Sequence, residues 1–154
     1  MITESIKRLQ YLCDEIPAQL SIIPEIDFTN KSAPGKWSKK EILGHLIDSA
    51  TNNHQRFIRA QFENIPTISY DQDNWNKLSH YNLIDSKQLI QFWEMYNRHL
   101  IEIGMRIPEY SLTRECIAGG EKHTIEWLFN DYVKHMEYHL SQIVSYVNRQ
   151  HKVD

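Results

Sequence analysis

The sequence predicts an all-α protein, a four-helix bundle with up-down-down-up topology. Three observations carry this. Helix breakers are scarce, with 5 Gly and 5 Pro among 154 residues. Four stretches repeat apolar residues at spacings of three and four, the period of an amphipathic helix. The starts of three of them carry residues able to cap a helix: Ser38, Asp85 and Thr124.

The first helix is expected over about 3–22, with Ile6, Leu9, Leu12, Ile16 and Leu20 on one face. Pro17 lies inside it, lacks an N–H, and is expected to kink the helix or end it early. Pro24, Asn30, Pro34 and Gly35 then mark a loop. The second helix is expected over about 39–64. Ser38-Lys39-Lys40-Glu41 forms a capping box, Trp37 and Ile42 a hydrophobic staple, and Pro66 follows the end. The third starts at Asp85, with Leu89, Phe92, Tyr96, Leu100 and Ile103 as its core stripe. The fourth, capped by Thr124, is expected to reach about residue 149, with Leu128, Tyr132, Met136, Ile143 and Val147 inward.

The connection over 65–84 is long enough to run back along a helix of about 37 Å. The second and third helices are therefore expected to be parallel, which produces the up-down-down-up order. Connections of that length are usually functional or crossovers. A short strand or hairpin arm is expected near 111–117, ahead of Gly119-Gly120. The chain, 1–154, reads as one domain.

Composition narrows the function classes. Apolar residues at 41% and charged residues at 24% describe a chain that buries a core. The net charge of -3 shows no basic excess for nucleic acid. Cys13 and Cys116 form no CxxC pair and no disulfide framework. The first ten residues, MITESIKRLQ, carry charges where a signal peptide needs an apolar run. No apolar stretch approaches the length of a membrane span. The expected setting is the cytoplasm, without nucleic-acid or membrane partners.

Eight histidines stand in the chain, and two of them, His135 and His139, are four residues apart on the fourth helix. They differ by about 40° around the helix axis, so both can reach one metal ion. The pattern is not HExxH: Glu137 points about 200° away and cannot serve as that motif's general base. On the second helix His45, Ser49, Asn52 and Arg56 make a narrow polar stripe. On the fourth, Asp131, His135, His139, Gln142 and Tyr146 make another. Polar stripes at buried faces must satisfy each other or a ligand. Two readings stay open at this level: a hydrogen-bonded polar layer that sets helix register, or a three-histidine metal site. Arg56 could anchor a carboxylate or phosphate, or simply form a salt bridge.

The run over 35–49, GKWSKKEILGHLIDS, and the segment over 52–57, NNHQRF, resemble the DinB/YfiT superfamily. The stretch over 66–75, PTISYDQDNW, resembles its YfiT branch, and HMEYHLSQI over 135–143 is similar to the family's closing His-x-x-x-His block. The resemblance implies an up-down-down-up four-helix bundle, often dimeric. It implies a divalent metal, Zn²⁺ or Ni²⁺, held by His45, His135 and His139. YfiT-like proteins carry the provisional name of metal-dependent hydrolases, and related members are thiol S-transferases that use bacillithiol, mycothiol or glutathione.

The expected function is therefore a metal-dependent enzyme acting on small molecules, with a thiol S-transferase as first choice and a hydrolase of an amide or ester as second. A non-catalytic metal-binding or stress-related module is the third reading. A divalent ion on three neutral imidazoles keeps its full charge and an open position, where a thiol or a water becomes more acidic. Asp131 or Gln142 is expected to orient a ligand, and Asn52 and Arg56 to hold the polar end of a cosubstrate.

Overall fold

The computed structural model describes residues 1–145, and four long helices form its frame. These are α1 (Thr3–Ser21), α3 (Lys39–Arg59), α5 (Ser86–Gly104) and α6 (Ile125–Ser141). Two short helices, α2 (Glu25–Thr29) and α4 (Gln72–Ser79), and a hairpin of β1 (Glu115–Ala118) and β2 (Glu121–Thr124) complete it.

Side-chain contacts set the directions. Ser5 bonds Asn130 and Arg8 pairs with Glu137, so α1 and α6 run parallel. Arg98 reaches Asp14, and Gly104 lies against Ile6, so α1 and α5 are antiparallel. His45 meets His139 while Phe57 meets Phe129, so α3 and α6 are antiparallel. Ser38 bonds Asn82 just ahead of α5, and His54 bonds Tyr96 within it, so α3 and α5 are parallel. The order is up, down, down, up, as the long connection predicts. Trp93, Phe57, Phe129, Leu9, Leu12, Ile16, Leu43 and Leu100 fill the centre, almost wholly shielded from water. Each contributes about 1.5–3 kcal/mol of burial.

Several boundaries differ from the sequence expectation, each for a visible reason. Pro17 does not end α1, which continues to Ser21. The carbonyl its missing N–H would have bonded, that of Cys13, accepts from Arg98 Nη2 at 3.3 Å instead. Helix α3 stops at Arg59, short of residue 64. Arg114 donates to the carbonyls of Ala60 at 2.6 Å and Glu63 at 2.9 Å, capturing acceptors that a longer helix would use. Helix α6 ends at Ser141, short of residue 149, where i→i+3 bonds from Gln142 and Ile143 tighten the last turn. Tyr146 and Val147 lie outside the described residues.

The core face of α5 is also rotated. Phe92 is 52% exposed while Trp93 is fully buried, and Asn97 occupies the buried stripe between Trp93 and Leu100. Asn97 is satisfied there: it donates to the Trp93 carbonyl at 2.8 Å and accepts from Tyr132 at 2.6 Å.

The connection over 65–84 is not a bare loop. Ile68 and Pro66 exchange backbone bonds with Ile117 of β1, and Asp71 caps α4 by accepting from Asn74. The expected hairpin arm is the pair β1–β2, turned at Gly119 and Gly120, both with positive φ (60° and 85°), as a tight hairpin turn requires.

The capping box at Ser38 is present in full: Ser38 Oγ accepts from Glu41 N at 3.0 Å and Glu41 Oε2 accepts from Ser38 N at 2.8 Å. Ser38 Oγ also donates to Asn82 Oδ1 at 2.7 Å. Ser38→Ala removes both and is expected to cost about 1–2 kcal/mol, read as a shift in urea midpoint at unchanged slope.

Candidate metal centre

His45 enters the bundle one turn and a half into α3, 1% exposed, with the Trp37 ring 4.8 Å away across a 34° tilt. His135 and His139 approach from successive turns of α6. His45 Nε2 lies 3.4 Å from His135 Nε2, and His139 Nε2 lies 3.1 Å from the same atom. One ligand atom from each of the three lies within 4.8 Å of the others. Nitrogens bound tetrahedrally at about 2.1 Å from one ion stand about 3.4 Å apart, so the cluster has the dimensions of a ligand set.

Electrostatics favours the same use. Burial, then the neighbouring His135 and His139, pushes the His45 pKa down to about 3. Burial, then His139, pushes His135 down to about 4, with Asp131 opposing. Both rings are neutral at physiological pH and present lone pairs, which a divalent ion needs. Gln142 Oε1 sits 2.9 Å from His139 Nδ1, where it accepts the ring proton and leaves Nε2 free for the cluster. His45 Nδ1 is buried without a hydrogen-bond partner among the described residues. No fourth His, Cys, Asp or Glu joins the three there.

A cavity of about 220 Å³ adjoins the cluster along the α3–α6 groove. His135 lines it, with Ser49, Asn53, Arg56, Tyr70 and Asp131 among its polar walls. The stacked rings of His123 and Trp127, 3.8 Å apart, form another wall, and Ala118 of β1 belongs to its floor. Arg56 donates from Nε to the Ile68 carbonyl at 3.1 Å and from Nη1 to Asn53 Oδ1 at 3.3 Å.

The structure thus brings together His45, His135, His139 and Gln142, and sets Arg56 and Asp131 on the adjoining cavity. It does not bring Asn52 there. That amide is buried and donates back to the Asp48 carbonyl at 2.9 Å, while its neighbour Asn53 lines the cavity. Asn53 lies about 80° from His45, outside the narrow stripe but inside the wider groove between α3 and α6.

One buried pair beside the centre had no sequence signal. Tyr81, from the turn after α4, donates its hydroxyl to Asp48 Oδ1. Burial raises the Asp48 pKa to about 6, with the Tyr81 hydrogen bond opposing. The folded value lies above the unfolded one. The contribution of Asp48 to stability is therefore present at acid pH and is lost as pH rises through about 6. Asp48→Asn keeps an acceptor for Tyr81, and is expected to flatten the fall in stability between about pH 4 and pH 7, measured by urea unfolding at both.

A profile of the DinB superfamily matches residues 1–143. The chain belongs to the DinB superfamily. A protein of Oceanobacillus iheyensis is 22% identical over 92% of this chain and 83% of its own length. YfiT of Bacillus subtilis is 25% identical over 88% of this chain and 80% of its own. Both carry the provisional name of metal-dependent hydrolase. The solved structure of YfiT, described as an unusual four-helix bundle topology, superposes with a TM-score of 0.79 at 21% identity, covering 93% of this chain and 85% of that one. A mycothiol-dependent maleylpyruvate isomerase superposes at 0.78 with 12% identity, covering 96% of this chain and 62% of that one. At these identities the two structures establish the shared DinB fold.

Proposed function

We propose that this DinB protein is a metal-dependent enzyme that activates a low-molecular-weight thiol on Zn²⁺ or Ni²⁺ and joins the whole thiolate through its sulfur to an electrophilic carbon, whose leaving group departs or whose epoxide C–O bond opens. The observation that carries the reading is a set of three converging histidines, with no fourth His, Cys, Asp or Glu ligand among the described residues, beside a polar cavity. Three protein ligands leave a position open for chemistry, whereas structural sites are closed. A divalent ion there supplies a Lewis acid that makes a bound thiol or water more acidic at neutral pH.

The chain's own groups have distinct parts. His45, His135 and His139 hold the ion. Gln142 fixes the tautomer of His139, and Asp131 supports the charge around His135. Arg56 holds the polar end of the cosubstrate. Asn52 enters this assignment only by supporting α3 from within, and Asn53 takes the place beside Arg56. The partners are small molecules. We place the protein in the cytoplasm as one domain over 1–154, acting as a homodimer. No helix among the described residues is long and apolar enough to cross a membrane.

Hydrolysis of an amide or ester is the second reading, favoured by the names of the relatives. Monochlorobimane separates the two. The transferase consumes it only with both a divalent ion and a thiol, whereas a hydrolase cleaves an activated ester with the ion alone. Ester cleavage at full rate without thiol overturns the first choice. Inactivity towards both classes, across several thiols including bacillithiol, leaves a non-catalytic metal-binding module.

A further inference from the structure

Tyr70 also lines the cavity beside the cluster. It stands in the connection between α3 and α4, and the chain is tied on both sides of it. Ile68 N donates to the Ile117 carbonyl at 2.9 Å, and the Ile68 carbonyl accepts from Arg56 Nε at 3.1 Å. Ser69 Oγ accepts from Gly119 N at 3.2 Å, and Asp71 caps α4. The half-buried Tyr70 ring meets Trp75 edge-on, with centroids 5.4 Å apart and a 68° angle between planes. A ring held at so many points delivers its hydroxyl to one place.

That place is the α3 wall. Arg56, Asp48 and Ser49 are the groups that act on the hydroxyl. Ser49 lines the same cavity and follows His45 by four residues, about 6 Å along the helix and about 40° around it. His135 lines the cavity from α6. The phenol is thus set about one helical turn from one histidine and shares a cavity with another. Burial raises its pKa, with Arg56 opposing. Tyr70 therefore carries its proton at neutral pH, and the guanidinium beside it steadies the anion left when the proton is given up. The second phenol on the cavity wall, Tyr132, is already committed: it donates to Asn97 Oδ1 at 2.6 Å in the core.

Thioether formation creates a demand for such a proton. A thiolate that opens an epoxide leaves an alkoxide, a strong base, whereas a displaced chloride departs as a stable anion. A phenol is acidic enough to meet the alkoxide, and a serine hydroxyl is not.

We propose that Tyr70 is the general acid of the conjugation, giving its phenolic proton to the oxygen released as the sulfur–carbon bond forms. This role rests on the transferase reading of the three histidines. The thiol gives its proton to solvent, and a sulfur electron pair forms the S–C bond. The pair of the breaking C–O bond stays on oxygen, which takes the Tyr70 proton, and the phenolate recovers a proton from water. The product is a neutral alcohol carrying the thioether, and nothing is oxidised or reduced.

Zinc-loaded protein is given glutathione, and bacillithiol in a parallel series, with two electrophiles of similar size. Styrene oxide releases an oxygen that needs a proton, and 4-nitrobenzyl chloride releases a chloride that does not. Tyr70→Phe is expected to lower kcat for the epoxide about 100-fold more than kcat for the chloride, with zinc content and circular dichroism unchanged. A second readout needs no turnover. Calorimetry compares binding of S-(2-hydroxy-2-phenylethyl)glutathione with that of S-(2-phenylethyl)glutathione, which lacks the hydroxyl. The wild-type protein is expected to prefer the alcohol roughly threefold to tenfold, the worth of one neutral hydrogen bond, and Tyr70→Phe to show no preference. Equal effects of the substitution on both electrophiles, whether both fall or neither does, overturn the acid and leave the transferase in place. No preference for the alcohol in the wild-type protein, or one that survives in Tyr70→Phe, overturns it as well. Consumption of neither electrophile by the wild-type protein removes the transferase, and the role of Tyr70 with it.

Discussion

Substituting His139 by Ala abolishes tight zinc or nickel binding and leaves the helical content intact. The remaining pair, His45 and His135, lie 3.4 Å apart but cannot enclose an ion. Two protein ligands fall short of the three that catalytic zinc sites use. Folding should not follow the metal. The centre occupies one end of the α3–α6 groove, while the core of Trp93, Phe57, Phe129 and Leu100 is buried without it. His139 is itself partly exposed, so its truncation opens no deep cavity. Metal content by mass spectrometry on untagged protein, with circular dichroism on the same sample, checks both halves. Loss of helix on metal removal would make the ion structural and favour the non-catalytic module.

The second large effect is expected at the residue that precedes His45 on α3. Gly44→Ala should destabilise the fold by about 1–3 kcal/mol. A Cβ built on Gly44 would stand 2.1 Å from Tyr81 Cδ2 and 2.3 Å from Cγ, inside the ring. Moving Tyr81 away is not cheap. Its hydroxyl satisfies Asp48, whose other oxygen, Oδ2, is already buried without a partner. The substitution therefore forces either an overpacked contact or an unpaired buried carboxyl group, each costing about 1–3 kcal/mol. Urea unfolding measures it. Gly44→Ala within about 0.5 kcal/mol of wild type would show that the α3–Tyr81 contact is loose.

The parts that could be read from the sequence are those whose cause is local or periodic. The Ser38–Glu41 box works within one turn, so its residues name it. His135 and His139 share a face by helix geometry alone, and the family resemblance added His45. What could not be read depends on neighbours remote in sequence. Phe92 and Trp93 are adjacent and equally apolar, so choosing which is buried requires knowing how α5 meets α1 and α3. Asn52 and Asn53 pose the same problem as amides 100° apart: the cavity reaches only the second. Pro17 would break an isolated helix, and only Arg98, 81 positions later, explains why α1 continues. The end of α3 likewise answers to Arg114. Short helices such as α4 carry too few turns for a periodic signal.

The hairpin gives the protein a division of labour along its chain. All three histidines ride on α3 and α6, whose positions are set by the deep core. The floor that bears Ala118 runs on into α6 and is held further by the backbone bonds joining Ile117 to Pro66 and Ile68 and by the grip of Arg114 on the end of α3. Changes at Ala118 or His123 therefore reshape a wall of the cavity without replacing any residue of α3 or of the histidine cluster.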